Sequence, residues 1–290
     1  MNCLHPIRLR DRIVPCGKCV VCIKRRRQSW AFRLEQESKS VPISWFCTLT
    51  YDDEHLTYST YSDLLGEHTA PVVVKRDVQL FMKRLRRYLS DWTRIRFFLV
   101  AEYGEQNLRP HYHMILFGKL GSKYNLVAEL LRRAWQQGYV QVSPLSTSHI
   151  RYCVKYMYKN ELYPEYIYYP AFKPFMLCSR QPGIGYAYMS EQILNYYRTA
   201  PKDFALQQNG TKCPLPRYYK DKLYDDDMKA FIGELRNQYQ LQGASANRDH
   251  WLHLMRTNPE MQFQLDMLVT EQKLNFEKYL ENKKLYGKHF

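Results

Sequence analysis

The chain has 290 residues, 45% of them hydrophobic, which is enough for one sizeable core with extensions or for two modest domains. Its 43 lysines and arginines outweigh 28 acidic residues, and the net charge of +15 points to a polyanionic partner, nucleic acid first and an anionic membrane surface second. No stretch approaches the roughly 18 to 20 apolar residues of a spanning helix, and the N-terminus lacks a secretion-signal core, which argues against a membrane protein.

Residues 1–40 form a Cys-rich basic segment. Cys3, Cys16, Cys19 and Cys22 are four of the eight cysteines, with two successive Cys-x-x-Cys steps. Without a secretion signal these thiols are expected to stay reduced, and four thiolates suit a structural Zn2+, with free thiols the alternative. The last three also fit part of an iron-sulfur ligand run, but Arg26 stands where a fourth ligand is needed. Lys24, Arg25, Arg26 and Arg27 follow, then Trp30, Phe32 and Leu34, as in a basic helix leaving the cysteines. That charge run is either a solvated face or a grip on a phosphate backbone.

Residues 41–198 read as the core. Trp45 to Tyr51 alternates as a strand, ended by Asp52-Asp53-Glu54, and Gly66 to Pro71 reads as loop. Asp77 to Leu89 carries Val78, Phe81, Met82, Leu85 and Leu89 at helical spacing, with Lys83, Arg84, Arg86 and Arg87 on the outer face. Phe97 to Glu105 and Arg109 to Gly118 then read as two apolar strands joined by a polar turn. Period-two alternation puts His111 and His113 on one side, and Glu102 reaches that side if the strands are neighbours. Two imidazoles and a carboxylate suit a divalent cation that also holds a phosphate. The plainer alternative is a half-buried strand whose imidazoles bond to neighbouring chains. Glu105 competes as third ligand, but strand parity disfavours it. Asn125 to Gln137 reads as a second amphipathic helix with Gly138 as its stop, and Tyr139 to Val142 as a short strand.

Ser146-Thr147-Ser148 supplies N-cap residues for a helix from His149 to Asn160. Tyr152 and Tyr156 are one turn apart on it, with Lys155 and Lys159 on the same stripe. A Tyr-rich face packed on a sheet would explain the phenols, yet lysines rarely bury without a partner. A tyrosine beside a metal-held phosphodiester can attack phosphorus, provided a cation such as Lys155 helps its phenol ionise.

His111-Tyr112-His113 followed by Tyr152-x-x-Lys155-Tyr156 resembles the signature of HUH endonucleases of the two-tyrosine type, which initiate rolling-circle replication. Phe46 to His55 resembles the first motif of those proteins. Pro15 to Cys22 and Ser179 to Gly185 resemble segments of replication initiators of gokushovirus-type microviruses, small bacteriophages with circular single-stranded DNA. The resemblance spans about residues 1–190. It implies a Mg2+ or Mn2+ dependent nickase acting on an origin single strand in the host bacterial cytoplasm, with a host helicase or polymerase as a further partner. It also implies that the strand around Thr48, Thr50 and Tyr51 lies beside the histidine strand and shapes the DNA site.

Leu162 to Pro170 reads as an ordered loop, and Gly183 to Gly185 as a turn. Ser190 reads as the N-cap of a short helix to Tyr197. Residues 199–290 read as a helical C-terminal region: a linker from Gln207 to Pro216, then helices over 225–240 and 258–286. The order of elements argues for an α+β fold, an antiparallel sheet flanked by helices. The resemblance adds ferredoxin or RRM-like topology. The expected site comprises Tyr152, Tyr156 and Lys155 for catalysis, and His111, His113 and Glu102 for the cation. Thr48, Thr50, Tyr51, Lys159, Lys24, Arg25, Arg26 and Arg27 are expected to hold DNA, and the four cysteines to hold zinc. A non-catalytic, zinc-stabilised DNA-binding protein is the rival reading, and a relaxase or transposase of the same chemistry a third.

Overall fold

The computed structural model describes residues 3–10, 13–89, 94–104, 107–157, 163–207 and 210–233. Two short strands, β1 (Ile7–Arg8) and β2 (Ile13–Val14), pair ahead of α1 (Val20–Lys39). There follow β3 (Ser44–Tyr51), β4 (Tyr58–Asp63), β5 (Gly66–Pro71), α2 (Lys75–Tyr88), β6 (Arg96–Tyr103), β7 (Pro110–Phe117), α3 (Tyr124–Trp135), β8 (Gly138–Pro144) and α4 (Thr147–Tyr156). After these come β9 (Met176–Cys178), α5 (Glu191–Thr199), β10 (Phe204–Leu206), β11 (Lys212–Pro214) and α6 (Arg217–Leu223).

The main sheet has the order β8-β3-β7-β6-β9, with every neighbouring pair antiparallel. Leaving β9 and the β4-β5 hairpin aside, β3-α2-β6-β7-α3-β8 is a βαββαβ unit whose strands lie in the spatial order fourth, first, third, second, the ferredoxin-like arrangement. The expected α+β fold is the one observed.

Alternation sorts the side chains of each strand onto two faces. Trp45, Cys47, Leu49, Tyr51, Leu99, Ala101, Tyr103, Tyr112, Met114 and Leu116 point to one side. There they meet Val78, Phe81, Met82 and Leu85 of α2 and Val127, Ala128, Leu131, Ala134 and Trp135 of α3. Phe98, Val100, Ile115 and Phe117 point to the other side and pack with Leu34 of α1 and with Ile150, Cys153 and Val154 of α4. Both helical stripes foreseen for α2 and α3 lie on the sheet. Arg84, read as outward, instead caps the C-terminus of α3, donating to the carbonyls of Ala134 at 2.6 Å and Trp135 at 2.8 Å. Buried Glu37 of α1 accepts from Arg96 of β6 and from the backbone N–H of Gly185 at 2.6 Å, so the Gly183 to Gly185 turn serves packing.

Several expectations need correction. Gly66 to Pro71 is not loop but β5, paired with β4 in an exposed hairpin. Gly138 does not stop α3. Gln136 does so in the left-handed region, at φ 60°, and Gly138 opens β8. Gln207 to Pro216 is not a free linker, since β10 and β11 form a hairpin across it. The first compact unit runs from Met1 to Tyr224, and a second from Asp225 to Phe290. Of the second, residues 226–233 are helical; the rest of the helices expected over 225–240 and 258–286 lies outside the described residues.

Candidate active site

The register of the sheet assembles the site. Glu102 of β6 is the cross-strand partner of His111 of β7, and Thr50 and Thr48 of β3 are the partners of His111 and His113. All five residues share the face that carries α1 and α4. Thr48 Oγ1 is 3.1 Å from Nδ1 of His113, and Thr50 Oγ1 is 3.0 Å from Nδ1 of His111. Each imidazole is therefore held by its inner nitrogen, and its Nε2 is left to face outward.

Oε1 of Glu102 lies 2.5 Å from Nε2 of His113, and both residues are 5% exposed. The second oxygen, Oε2, is buried and has no hydrogen-bond partner. A buried carboxylate oxygen with no donor is costly, and a divalent cation coordinated there would satisfy it, so the donor set fits a metal ion. Burial, then the neighbouring charges of His113 and Arg109, push the pKa of His111 down to about 4. Its ring is thus neutral near neutral pH and its lone pair free to ligate.

Helix α4 brings the phenols to this spot. Its N-terminus is fixed by a capping box: the Ser146 hydroxyl accepts from the His149 N–H, and the Ser146 N–H donates to the His149 ring 3.2 Å away. His149 in turn stacks on Phe46 at 4.4 Å. Ile150, Cys153 and Val154 bury against the sheet, which turns Tyr152 and Tyr156 toward the histidines. The hydroxyl of Tyr152 is 3.4 Å from Nε2 of His113, and the two tyrosine rings are 4.5 Å apart. The Tyr156 ring centroid stands 5.5 Å from that of His113. Burial, the bond from Tyr156 and the charge of Glu102 all raise the pKa of Tyr152. Lys155 is exposed, with its ammonium 5.8 Å from the Tyr156 ring centroid. Lys159 and Glu105 lie outside the described residues.

An open groove of about 1020 Å³ runs along this face and contains Thr48, Thr50, Glu102, His111, His113, Tyr152 and Tyr156. Tyr51 does not belong to it. Being odd where Thr48 and Thr50 are even, it points into the opposite core, fully buried, and its hydroxyl donates to Asp77 at 2.7 Å. The groove also holds Arg109, Arg132, Tyr139 and Gln141, which sequence reasoning missed. The available signal was the alternation of Tyr139 and Gln141, but parity names a face only once the partner register is known.

The cysteines form a second centre. Among the described residues they are the only set of three or more His, Cys, Asp or Glu side chains whose ligand atoms all lie within 4.8 Å, so the histidine and carboxylate set is more open. Sγ of Cys3 is 3.8 Å from that of Cys19, and Sγ of Cys16 is 4.0 Å from that of Cys22. Four sulfurs about 2.3 Å from one Zn2+ would be about 3.8 Å apart, so the quartet has tetrahedral zinc dimensions. The amides of Lys18 and Cys19 donate to Cys16 Sγ at 3.4 and 3.3 Å. Although burial opposes it, amides from Leu4 and Cys22 and the adjoining thiols draw the Cys19 pKa down to about 6. Cys19 is the N-cap of α1. Along α1, Lys24 and Arg26 are exposed and Arg25 is half-buried. Arg27 donates to the carbonyl of Lys155 at 3.3 Å, tying α1 to α4 beside the tyrosines.

Residues 44–161 match the family of the replication-associated protein ORF2. This segment belongs to that family. It contains β3 to α4 and with them both histidines, Glu102 and both tyrosines of the groove. The chain is 27% identical over 239 residues to replication-associated protein ORF4 of Chlamydia phage 1, covering 76% of this chain and 55% of that protein. It is 27% identical to replication-associated protein VP4 of Bdellovibrio phage phiMH2K, over 71% of this chain and 66% of that one. Identity is also 27% to replication-associated protein ORF2 of Spiroplasma virus 4, over 72% and 67%. The chain thus spans between just over half and two thirds of the length of these relatives. A solved structure, the N-terminal nuclease domain of Minute virus of mice non-structural protein-1, is 15% identical and covers 79% of this chain and 88% of that domain. The TM-score is 0.18, too low to carry an argument.

Proposed function

We propose that the chain initiates rolling-circle replication of a small phage by nicking single-stranded DNA through tyrosine attack. The observation that carries this reading is the approach of the Tyr152 hydroxyl to His113 Nε2, the same nitrogen that Glu102 abuts, with the Tyr156 ring alongside. His111, His113 and Glu102 would hold the cation. A bound Mg2+ or Mn2+ supplies charge stabilisation at the phosphate oxygens.

The phenol oxygen of Tyr152 or Tyr156 attacks phosphorus in line and loses its proton. The bond from phosphorus to the 3′ oxygen breaks, and that oxygen takes up a proton. The products are a 5′ phosphotyrosine and a 3′ hydroxyl able to prime a polymerase. The second tyrosine then cuts the regenerated origin, while the 3′ hydroxyl resolves the first link. Phenols 4.5 Å apart on one helix suit that exchange without release of the strand. Because the environment raises the Tyr152 pKa, attack requires positive charge at the site, from the cation and from Lys155. The cysteine quartet is proposed to hold Zn2+ as a structural ion. The protein would work inside the infected bacterial cell, and a host polymerase or helicase would extend the strand.

Incubating the protein with origin-bearing single strands and Mn2+, then running a denaturing gel, tests the chemistry. A covalent band present in the wild type and absent in Tyr152→Phe/Tyr156→Phe is the expected result. Undiminished adduct in the double variant would reject these nucleophiles. Salt-sensitive binding with no adduct would favour the non-catalytic rival.

A further inference from the structure

We infer that Tyr139 is a stacking platform for an unpaired base of the strand lying in the groove, beside the proposed cation site; this builds on the single-strand reading given above. The sheet register supports the placement. Tyr139 of β8 pairs with Thr50 of β3, Thr50 pairs with His111, and His111 pairs with Glu102, so one cross-strand row leads from the tyrosine to the cation ligands. Two strand spacings separate Tyr139 from His111, about 10 Å. Helix α4 packs over β6 and β7, and the part of this face formed by β8 stays open.

Tyr139 is 68% exposed in a groove that also contains the imidazoles and both nucleophile candidates. A large aromatic ring exposed on a strand gains little for the fold. Its flat face, in a groove flanked by Arg109 and Arg132, has the chemistry that binds single strands: stacking for the base and positive charge for the backbone. Gln141, next on the same face and paired with Thr48, adds an amide within the row of groove residues. Gly138 makes the position possible. At φ 133° a Cβ there would come within 2.3 Å of the Asp52 amide nitrogen, so glycine lets β8 start hard against the end of β3 and sets the ring over the groove.

The test is binding of a fluorescein-labelled 15-mer oligothymidylate to the full chain, read by anisotropy, with a second strand carrying one 2-aminopurine. Tyr139→Leu, which keeps an apolar side chain on the strand without a π face, is expected to weaken binding about tenfold or more and to abolish the quenching of 2-aminopurine. Tyr139→Phe is expected to retain both. The slope of log affinity against log salt is expected to stay the same in Tyr139→Leu, since no phosphate contact is removed. Unchanged affinity and quenching in Tyr139→Leu would overturn the inference, as would loss in Tyr139→Phe equal to that in Tyr139→Leu. A wild-type chain that binds and quenches in this way but forms no adduct with Mn2+ would sink the nickase reading and leave the platform standing.

Discussion

Each imidazole of the groove has a threonine hydroxyl against its inner nitrogen, and that pairing decides how the ring presents its outer one. With a cation bound, Nδ1–H of His113 donates to Thr48 and Nε2 faces the metal. Thr48→Val keeps the volume and the β-branch but removes the acceptor. It is expected to weaken Mn2+ affinity about 10- to 100-fold by isothermal titration, while the melting temperature without metal changes little. Equal affinity in wild type and variant would dismiss the hydroxyl as an orienting group. Period two alone was enough to pair the histidines and to bring Thr48 and Thr50 into reach. The same rule separates Tyr51 from them, because an odd position between even ones belongs to the other face. Tyr139 was hidden for a different reason: β8 is an edge strand, and only its register with β3 reveals which face its exposed ring occupies.

At the level of elements, α4 is the part whose placement matters most, and its first turn contains a titratable cap. Burial holds the His149 imidazole below its ordinary pKa of about 6.5, so the folded state favours the neutral ring, whose Nδ1 accepts from the Ser146 amide. This contribution to stability is present above the ordinary value and is lost as pH falls through the lower folded one. Between pH 7 and pH 5 the wild type is therefore expected to lose melting temperature relative to His149→Gln, which keeps an uncharged acceptor at the same position of the capping box. Parallel curves for the two proteins would contradict this. Ser146→Ala should cost about 1 kcal/mol at neutral pH in chemical denaturation. Helices α2 and α3 were legible because each lays one apolar stripe on the sheet. The β4-β5 hairpin was not: Tyr58 to Asp63 and Gly66 to Pro71 are mostly exposed, and Leu64 and Leu65 stand out in solvent at its tip, so no alternation in hydrophobicity marks it. β9 is three residues long and only half-buried, and so gives no periodic signal.

Across the whole molecule, the two centres are joined by one helix. The cysteine quartet caps the start of α1, and α1 reaches through Arg27 to the backbone of α4 at Lys155. Removing zinc with a chelator is therefore expected to lower the melting temperature and to slow adduct formation even when Mn2+ is restored in excess. Metal analysis should find about one zinc per chain, absent from Cys19→Ser. A chain without zinc that melts and reacts as before would limit the cysteines to a passive role. The central claim is narrower: His111, His113 and Glu102 hold one cation within reach of the Tyr152 and Tyr156 hydroxyls. Anomalous diffraction from crystals soaked in Mn2+ tests it most directly. The account predicts a single strong peak in the groove, within coordination distance of both Nε2 atoms and of the Glu102 carboxylate, with a tyrosine hydroxyl facing it. A peak elsewhere, or tyrosine hydroxyls turned away from it, would contradict the account.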